Sequence, residues 1–484
     1  MNYRFIFNMI GKVLKVEGYL LLLPTLVSAL YWEKSFFALG GSSVITFLVG
    51  LLLTLISKQN SKYFFAKEGF ISVALTWVTI SLFGALPFML SGEIPFFIDA
   101  LFETVSGFTT TGSSIVVNVE ELSHGINMWR CFTHWVGGMG IIVFVIALSD
   151  RVPDQSMYVL RAEMPGPIIG KLVPRARQTS AILYIIYIVM TVVMFIFLLC
   201  GGEMDIFEAA CHSFGAAGTG GFGIKVDCVT GYGAYSQWVI AVFMMLFGIN
   251  FNMYYLILVG KIKTVLKSTE MWAYIVMIFI ATGIITRNTF TTVSALPATV
   301  RDAFFQVTSI TTTTGFFSVD FDNWPTLSKA VLFILMFIGG CAGSTAGGFK
   351  VSRLVIVCKK IINDLKTMVY PRTKTVLKFE GKRLDDETVN AVCSYSIVYF
   401  LLIGVIFLLL CFDPNVPAAR GIESNLTAVV SCFNNVGPAF GFAAANFAGY
   451  SAFSKILLIL AMLLGRLEIY PMLLFLTPKT WAKR

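Results

Sequence analysis

Phe108-Thr109-Thr110-Thr111-Gly112, Ala217-Gly218-Thr219-Gly220-Gly221, Thr311-Thr312-Thr313-Thr314-Gly315 and Phe433-Asn434-Asn435-Val436-Gly437 close four short segments of the chain, 97–112, 205–221, 300–315 and 422–437. Each segment is of medium hydrophobicity, too short to cross a membrane, and placed between two long apolar runs. Aligned on the final glycine, the four keep one register without gaps, the glycines lying 109, 94 and 122 residues apart. Thirteen residues before that glycine stand Asp99, Glu208, Asp302 and Ser424, a polar set suited to the positive start of a helix. Six before it stand Ser106, Gly215, Ser309 and Ser431, and two before it Thr110, Thr219, Thr313 and Asn435. An acid at one offset in three copies argues for an internal repeat over chance matching of residues common in membrane helices.

The rest of the chain makes the setting clear. Of 484 residues, 57% are hydrophobic and 13% charged, about half the charge of a soluble domain, which excludes a soluble globular fold. Apolar runs of spanning length lie near 17–32, 36–56, 70–91, 131–149, 179–200, 236–258, 270–287, 328–342, 389–412 and 453–476. The fold expected is an all-α polytopic membrane protein. It has four pseudo-repeats of outer helix, short re-entrant helix, glycine loop and inner helix around one central pore, plus two N-terminal helices. The N-terminal helix pair occupies 1–69, and the repeats occupy 70–178, 179–269, 270–388 and 389–484, the third with a broken inner helix. Gly137, Gly248, Gly339 and Gly465, at 24 to 28 residues after each loop glycine, mark close packing or a bend.

The net charge of +9 is distributed as in a membrane protein and not as in a nucleic-acid binder. Of 36 Lys and Arg, 27 fall in six segments, 1–18, 56–69, 150–178, 259–270, 350–388 and 477–484. These alternate with the intervening loops, which places both termini in the cytoplasm. The opposite loops hold Glu93, Asp99, Glu120, Glu121, Glu203, Asp205, Asp227, Asp320 and Asp322, and are expected to attract cations. The start of the chain carries no cleavable signal pattern. The nine cysteines form no CxxC pair and read as small core residues.

Backbone that is neither helix nor barrel persists at membrane depth only when buried in protein or lining a watery path, so the four loops should face one another. Glycine allows positive φ, which turns successive carbonyls one way, and four such carbonyls replace the hydration shell of a monovalent cation. The predicted filter is Thr110, Thr111 and Gly112 with Thr219, Gly220 and Gly221, Thr313, Thr314 and Gly315, and Asn435, Val436 and Gly437. No copy has a charged residue among its last five, which argues against divalent ions. The competing reading is that of helix-capping turns in a packed bundle.

Residues 339–348, Gly-Gly-Cys-Ala-Gly-Ser-Thr-Ala-Gly-Gly, interrupt the third inner helix with small residues, and place Gly340, Gly343, Ser344, Thr345, Gly347 and Gly348 in the path below the filter as a gate. A packing face with glycines spaced by four is the alternative. A phosphate-binding loop is rejected because Phe349 intervenes before Lys350. Arg466 lies deep in the last apolar run with only Glu468 as a charged neighbour in sequence, and is expected at the same level as that loop, snorkelling to the interface being the alternative. His134 and His212 read as packing or hydrogen-bonding residues because no second ligand stands at metal spacing.

The runs TTTGSS at 109–114, GTGGF at 218–222, TTTTGF at 311–316 and NNVGPAF at 434–440, with EMPGP at 163–167, PR at 174–175, GGCAGSTAGGFK at 339–350 and LGRLEIYP at 464–471, resemble the Trk/Ktr/HKT superfamily of potassium transporters, most closely its bacterial Trk branch. The resemblance covers nearly the whole chain. It implies a single-chain pseudo-fourfold pore, a homodimer in the bacterial cytoplasmic (inner) membrane, and K⁺ as the transported ion held at the filter, with no prosthetic group. It further implies a cytosolic TrkA-like nucleotide-binding regulatory partner, and an arginine at 466 that faces the cavity below the filter. Potassium uptake through a pore gated by the 339–348 loop and that partner is the expected function. A Na⁺- or H⁺-coupled symporter using the same pore fold stays as the alternative. An enzyme is not expected, since no HExxH, GxSxG or CxxC motif and no catalytic-sized loop is present. Beyond the regulatory partner and membrane lipid, no nucleic acid is expected to bind. The basic segments 150–178 and 350–388 are read as the docking surface, with Arg353, Lys359 and Lys360 in it.

Overall fold

Apolar runs broken by glycine clusters give long helices alternating with short ones. The computed structural model describes residues 2–57, 66–140, 176–290, 296–371 and 376–481. Among them, six helices are long and apolar enough to cross a membrane: Tyr3–Leu30, Ser35–Ile56, Lys67–Ser91, Ser180–Cys200, Thr269–Thr289 and Asp386–Leu410. The first two are the N-terminal pair, and the other four are the outer helices of the repeats. The chain thus folds as a membrane-helical protein in which each outer helix leads into one short re-entrant helix. Those are Phe97–Phe108, Ile206–Gly218, Leu296–Thr311 and Gly421–Asn434.

The first span begins at Tyr3, well before the apolar run at 17–32. Its early turns are amphipathic, and Phe5, Ile6, Ile10, Val13 and Leu14 are buried. Against it the helix Ser35–Ile56 makes backbone contact, since a Cβ on Gly50 would meet Lys15 N at 2.7 Å and Gly11 O at 2.8 Å. Ser43 Oγ seals that crossing by donating to Gly18 O at 2.7 Å. Small residues allow helices in lipid to pack where no hydrophobic gain drives them together.

Three inner runs are broken, the third where the sequence places a break and the other two where hydropathy shows continuous apolar character. The run 236–258 is two helices, Ala234–Phe247 and Phe251–Leu258, bent by 89°. The run 328–342 stops at Ile338, and its continuation is Val351–Val369. The run 453–476 divides into Ala452–Arg466 and Tyr470–Leu476, separated by Glu468 and Ile469 with φ of 57° and 62°. Hydropathy sees only the apolar character of such runs, and two of the three breaks fall at residues that are not glycine clusters. The first inner helix, His124–Gly138, ends where Gly140 takes φ 83°.

The polar starts of the re-entrant helices agree with the sequence in three copies, two of them acidic. Asp99 and Glu208 sit in the first turn, with Asp205 and Glu208 forming a capping box, and Ser424 is four residues in. Asp302 falls in the second turn because its helix already runs from Leu296. A small antiparallel hairpin, Lys378–Phe379 with Lys382–Arg383, is the one strand pair among the described residues. EMPGP at 163–167, PR at 174–175 and nearly all of segment 150–178 lie outside the described residues.

Candidate functional site

Each re-entrant helix ends in the same two hydrogen bonds. Thr110, Thr219, Thr313 and Asn435 donate their N–H three residues back, to Gly107, Ala216, Ile310 and Cys432, at 3.1 to 3.4 Å. The next residues, Thr111, Gly220, Thr314 and Val436, donate five back, to Ser106, Gly215, Ser309 and Ser431, at 2.8 to 2.9 Å. This is the Schellman cap, whose left-handed residue is ordinarily glycine. Here that residue is Thr110, Thr219, Thr313 or Asn435, at φ of 55° to 57°. Two residues on, Gly112, Gly221, Gly315 and Gly437 take φ of 80°, 79°, 83° and 100°, and the residue between is not left-handed. The repeated positions in the sequence thus have separate jobs: the one six before the glycine supplies a carbonyl, the one two before it turns the chain, and the glycine turns it again.

The four loops close into a ring. A Cβ on Gly112 would strike Gly220 O, one on Gly221 would strike Thr314 O, one on Gly315 would strike Val436 O, and one on Gly437 would strike Thr111 O. Each glycine therefore abuts the backbone carbonyl just before the next copy's glycine, in the order one, two, three, four, one. Threonines 109 to 111 and 311 to 314, with Thr219 and Asn435, are buried. Hydroxyl pairs Thr109–Thr111 and Thr312–Thr314, both at 2.7 Å, brace the first and third loops internally, and Asn435 Nδ2 donating to Thr111 Oγ1 at 2.9 Å ties the fourth loop to the first. A cavity of about 330 Å³ opens on the side of the residues that follow, lined by all four glycines together with Asp320 and Asp322.

Glu103 and Arg130, which the sequence does not single out, hold this ring from behind together with His134, read from sequence as a packing or hydrogen-bonding residue. Arg130 Nε donates to Glu103 Oε1 at 2.7 Å, both side chains fully buried, and the same carboxylate accepts Ser114 Oγ and Ile115 N. Arg130 also lies over the Phe222 ring at 4.3 Å and reaches Gly223 O, so one ion pair braces the first and second loops. His134 links the same two loops, its Nδ1 to Gly107 O at 2.8 Å and its Nε2 accepting Phe222 N at 3.1 Å. The only sequence signal for Glu103 and Arg130 was a charge inside an apolar setting, the mark of a paired intramembrane residue. Several acids expected to attract cations are engaged within the fold: Asp99 pairs with Lys455 at 2.6 Å, Asp322 with Arg420 at 3.1 Å, and Glu203 accepts Ser236 Oγ and Gly233 N.

Beneath the ring lies the loop between Ile338 and Val351. Gly339, Gly343 and Gly348 take φ of 76°, 73° and 79°, and Gly340 packs on the Ala346 side chain. The loop returns to its origin, since Phe349 N and Lys350 N donate to Phe337 O and Ile338 O. The broken second inner helix supports it: Cys341 N donates to Gly248 O and Phe251 N to Gly343 O, both at 3.0 Å. Ser344 Oγ donates to Cys341 O, Thr345 Oγ1 donates to Phe247 O, and Gly347 N donates to Thr313 Oγ1 at 2.6 Å, which joins the loop to the third copy of the ring.

Arg466 sits at that junction. Its Nη1 donates to Thr110 Oγ1 at 3.2 Å and Thr345 O at 3.0 Å, and its Nη2 to Gly137 O at 2.5 Å and Gly138 O at 2.6 Å. Glu468, its near charged neighbour in sequence, accepts Arg353 Nη2 at 2.5 Å. Arg353, read from sequence as part of a docking surface, is consequently buried, with its guanidinium over the Tyr395 ring at 4.0 Å. Lys359 and Lys360 keep the more exposed positions, on Lys378 O and Asp364.

Residues 37–483 match the profile of the TrkH family, described as cation transport proteins. The chain belongs to the TrkH family. Similar TrkH-family chains include the Trk system potassium uptake protein TrkH of Escherichia coli K12, 33% identical with all of both chains covered. Another is the Trk system potassium uptake protein TrkG of the same organism, 30% identical over 99% of each. The crystal structure of the potassium transporter TrkH from Vibrio parahaemolyticus superposes with a TM-score of 0.88 at 29% identity, covering 100% of both chains.

Proposed function

We propose that the protein mediates potassium uptake across the cytoplasmic membrane of a bacterium, with the ring of loops as its selectivity filter. The observation that carries this is the closed cycle of four contacts, each glycine against the next copy's carbonyl, on a backbone whose φ alternates in sign three residues running. Such a backbone turns consecutive carbonyl oxygens to one side, and a closed set of four presents a cation with a replacement for its water. The names of the relatives, all potassium uptake proteins of the Trk system, support K⁺ as the ion. Filter residues are Thr110 to Gly112, Thr219 to Gly221, Thr313 to Gly315 and Asn435 to Gly437.

The loop 339–350 and Arg466 form the barrier below the filter. Its ties to Thr313 and Thr110 make the closed path and the filter one mechanical unit. Regulation comes from a cytosolic nucleotide-binding partner docking on the basic segments 150–178 and 350–388, with both termini on that side and the protein a homodimer. Lys359 and Lys360 belong to that surface and Arg353 does not.

Replacing Gly112 or Gly315 by Ser tests the filter. The new Cβ meets φ near +80° and the neighbouring carbonyl together, so it displaces one member of the ring. Rb⁺ uptake into proteoliposomes should become sensitive to Na⁺ competition in both variants while the protein stays folded by gel filtration. Unaltered competition in both would reject the filter.

A further inference from the structure

A carboxylate outside the filter and the arginine junction is fastened to the barrier loop. Glu270, buried in the first turn of the helix Thr269–Thr289, accepts the N–H of Ala342 at 2.7 Å. Ala342 lies in the middle of the loop's first half, two residues after Gly340. The backbone of Glu270 is itself held from the basic segment: Glu270 N donates to Glu380 Oε1 at 2.9 Å, and Ser268 Oγ donates to the same oxygen at 3.0 Å.

Glu380 occupies an unusual place. It and Gly381 are the two central residues of the hairpin turn, with φ of 48° and 73°. A turn with both central residues left-handed is ordinarily Asn-Gly or Gly-Gly. Glutamate in the first position is strained, and its carboxylate is what reaches Ser268 and Glu270. Strain held at one residue points to a use for that residue. The hairpin is also anchored to the helix that continues from the loop, since Lys359 Nζ donates to Lys378 O at 3.0 Å and Phe379 is buried against Ile356 and Val392.

We infer that Glu270 is a positioning residue for the barrier loop and that Glu380, at the hairpin turn, sets Glu270 in place, so that the hairpin conveys its position to Ala342. The inference rests on the reading of the 339–350 loop as the barrier. Displacing the hairpin withdraws Glu380, frees the start of the helix at Ser268 to Glu270, and leaves Ala342 N–H without an acceptor. A buried donor deprived of its acceptor favours a rearranged loop.

The test uses the full-length protein in proteoliposomes, without added partner, and reads ⁸⁶Rb⁺ flux for Glu270→Ala, Glu270→Gln, Glu380→Ala and the double alanine variant, with Arg466→Ala beside them. Glu270→Ala and Glu380→Ala should each raise flux roughly tenfold. Glu270→Gln, whose amide oxygen still accepts from Ala342, should stay within about twofold of the parent. The double variant should not exceed Glu270→Ala alone, because Glu380 acts through Glu270. A second readout is the rate at which Cys341, buried beside Ala342, is alkylated by N-ethylmaleimide, followed by mass spectrometry. It should rise in both alanine variants and not in Glu270→Gln. Should Glu270→Ala fail to fold, Glu380→Ala carries the test alone by both readouts. Flux and Cys341 alkylation unchanged in Glu380→Ala, or a double variant showing the product of the single effects, would overturn the relay. If Arg466→Ala raises flux and the glutamate variants do not, the relay fails and the barrier stands. If none of them raises flux, the barrier reading itself fails.

Discussion

Threonine in the left-handed region costs about 1–2 kcal/mol because its Cβ crowds the following carbonyl. Thr110, Thr219 and Thr313 all accept that cost at the same turn of the backbone, where glycine would relieve it. What the side chain supplies in return differs from copy to copy: Thr313 Oγ1 accepts Gly347 N from the 339–350 loop, and Thr110 Oγ1 accepts Arg466. The position was legible in the sequence as a repeat of Thr, Thr, Thr, Asn, but its backbone sign was not, since β-branched residues rarely carry it. Arg466 was legible too, because an arginine flanked by apolar residues must find polar company. Its partners were not, for they are carbonyls of Gly137, Gly138 and Thr345, groups that every residue possesses. Those four bonds lead to a discriminating prediction. Arg466→Ala should raise Rb⁺ flux of the unregulated protein roughly tenfold or more. Arg466→Lys should also raise it, though less, because an ammonium keeps the charge but lacks the planar fork that reaches both sides of the junction. A lysine variant as tight as the parent would mean that repulsion of K⁺ by the charge closes the path, and not the fastening. Shortening 343–348 should increase flux as well, and combined with Arg466→Ala should give less than the sum, both changes removing one barrier.

At the scale of elements, the outer and re-entrant helices could be read from hydropathy and spacing, whereas the inner helices could not. The break in the third was visible as a run of glycines. The breaks after Phe247 and after Arg466 were signalled only as close packing or a bend at Gly248 and Gly465, since Asn250 and the pair Glu468–Ile469 are not helix breakers by composition. The break after Phe247 persists because another element satisfies the freed backbone groups: Cys341 N donates to Gly248 O, and Phe251 N donates to Gly343 O. The start of the first inner helix has a comparable tie to the N-terminal pair. Glu33 accepts His124 N at 2.7 Å and Gly125 N at 3.0 Å, and meets the His124 ring at 2.9 Å. Burial alone would raise the Glu33 carboxyl, but the N–H groups of Gly125 and His124 and the His124 ring hold it below its ordinary value. A depressed carboxyl adds stability above its unfolded value, about 4.3, and loses that contribution as pH falls through the lower folded value. The melting temperature of Glu33→Gln in detergent should therefore lie below that of the parent at neutral pH, and the gap should close as pH drops below about 4. A gap that is constant across this range would assign the loss to packing.

At the scale of the whole molecule, the ring determines what each repeat can be without the others. Each loop glycine abuts a carbonyl of its neighbour in the cycle, so three repeats leave two loop edges unmatched at membrane depth. A chain stopped at residue 420 should insert, since its long helices are complete, yet be degraded several-fold faster than the full chain in a pulse-chase experiment. Equal lifetimes would show that the first three repeats are stable alone. The repeat itself was legible because register, acids and glycines persist at fixed offsets, and the facing of the four loops followed from the need to bury them; which glycine meets which carbonyl was not, as spacing carries no information on that pairing. The contact of copy four with copy one, Asn435 on Thr111, joins positions 324 residues apart. At ribosomal rates of about 5–20 residues per second, roughly 15 to 65 seconds separate synthesis of its two sides. For that interval the first loop sits in the bilayer with its carbonyls uncovered, so biogenesis requires something to shelter a half-built conduit, whether the insertion machinery, lipid headgroups or the still-unfolded remainder of the chain.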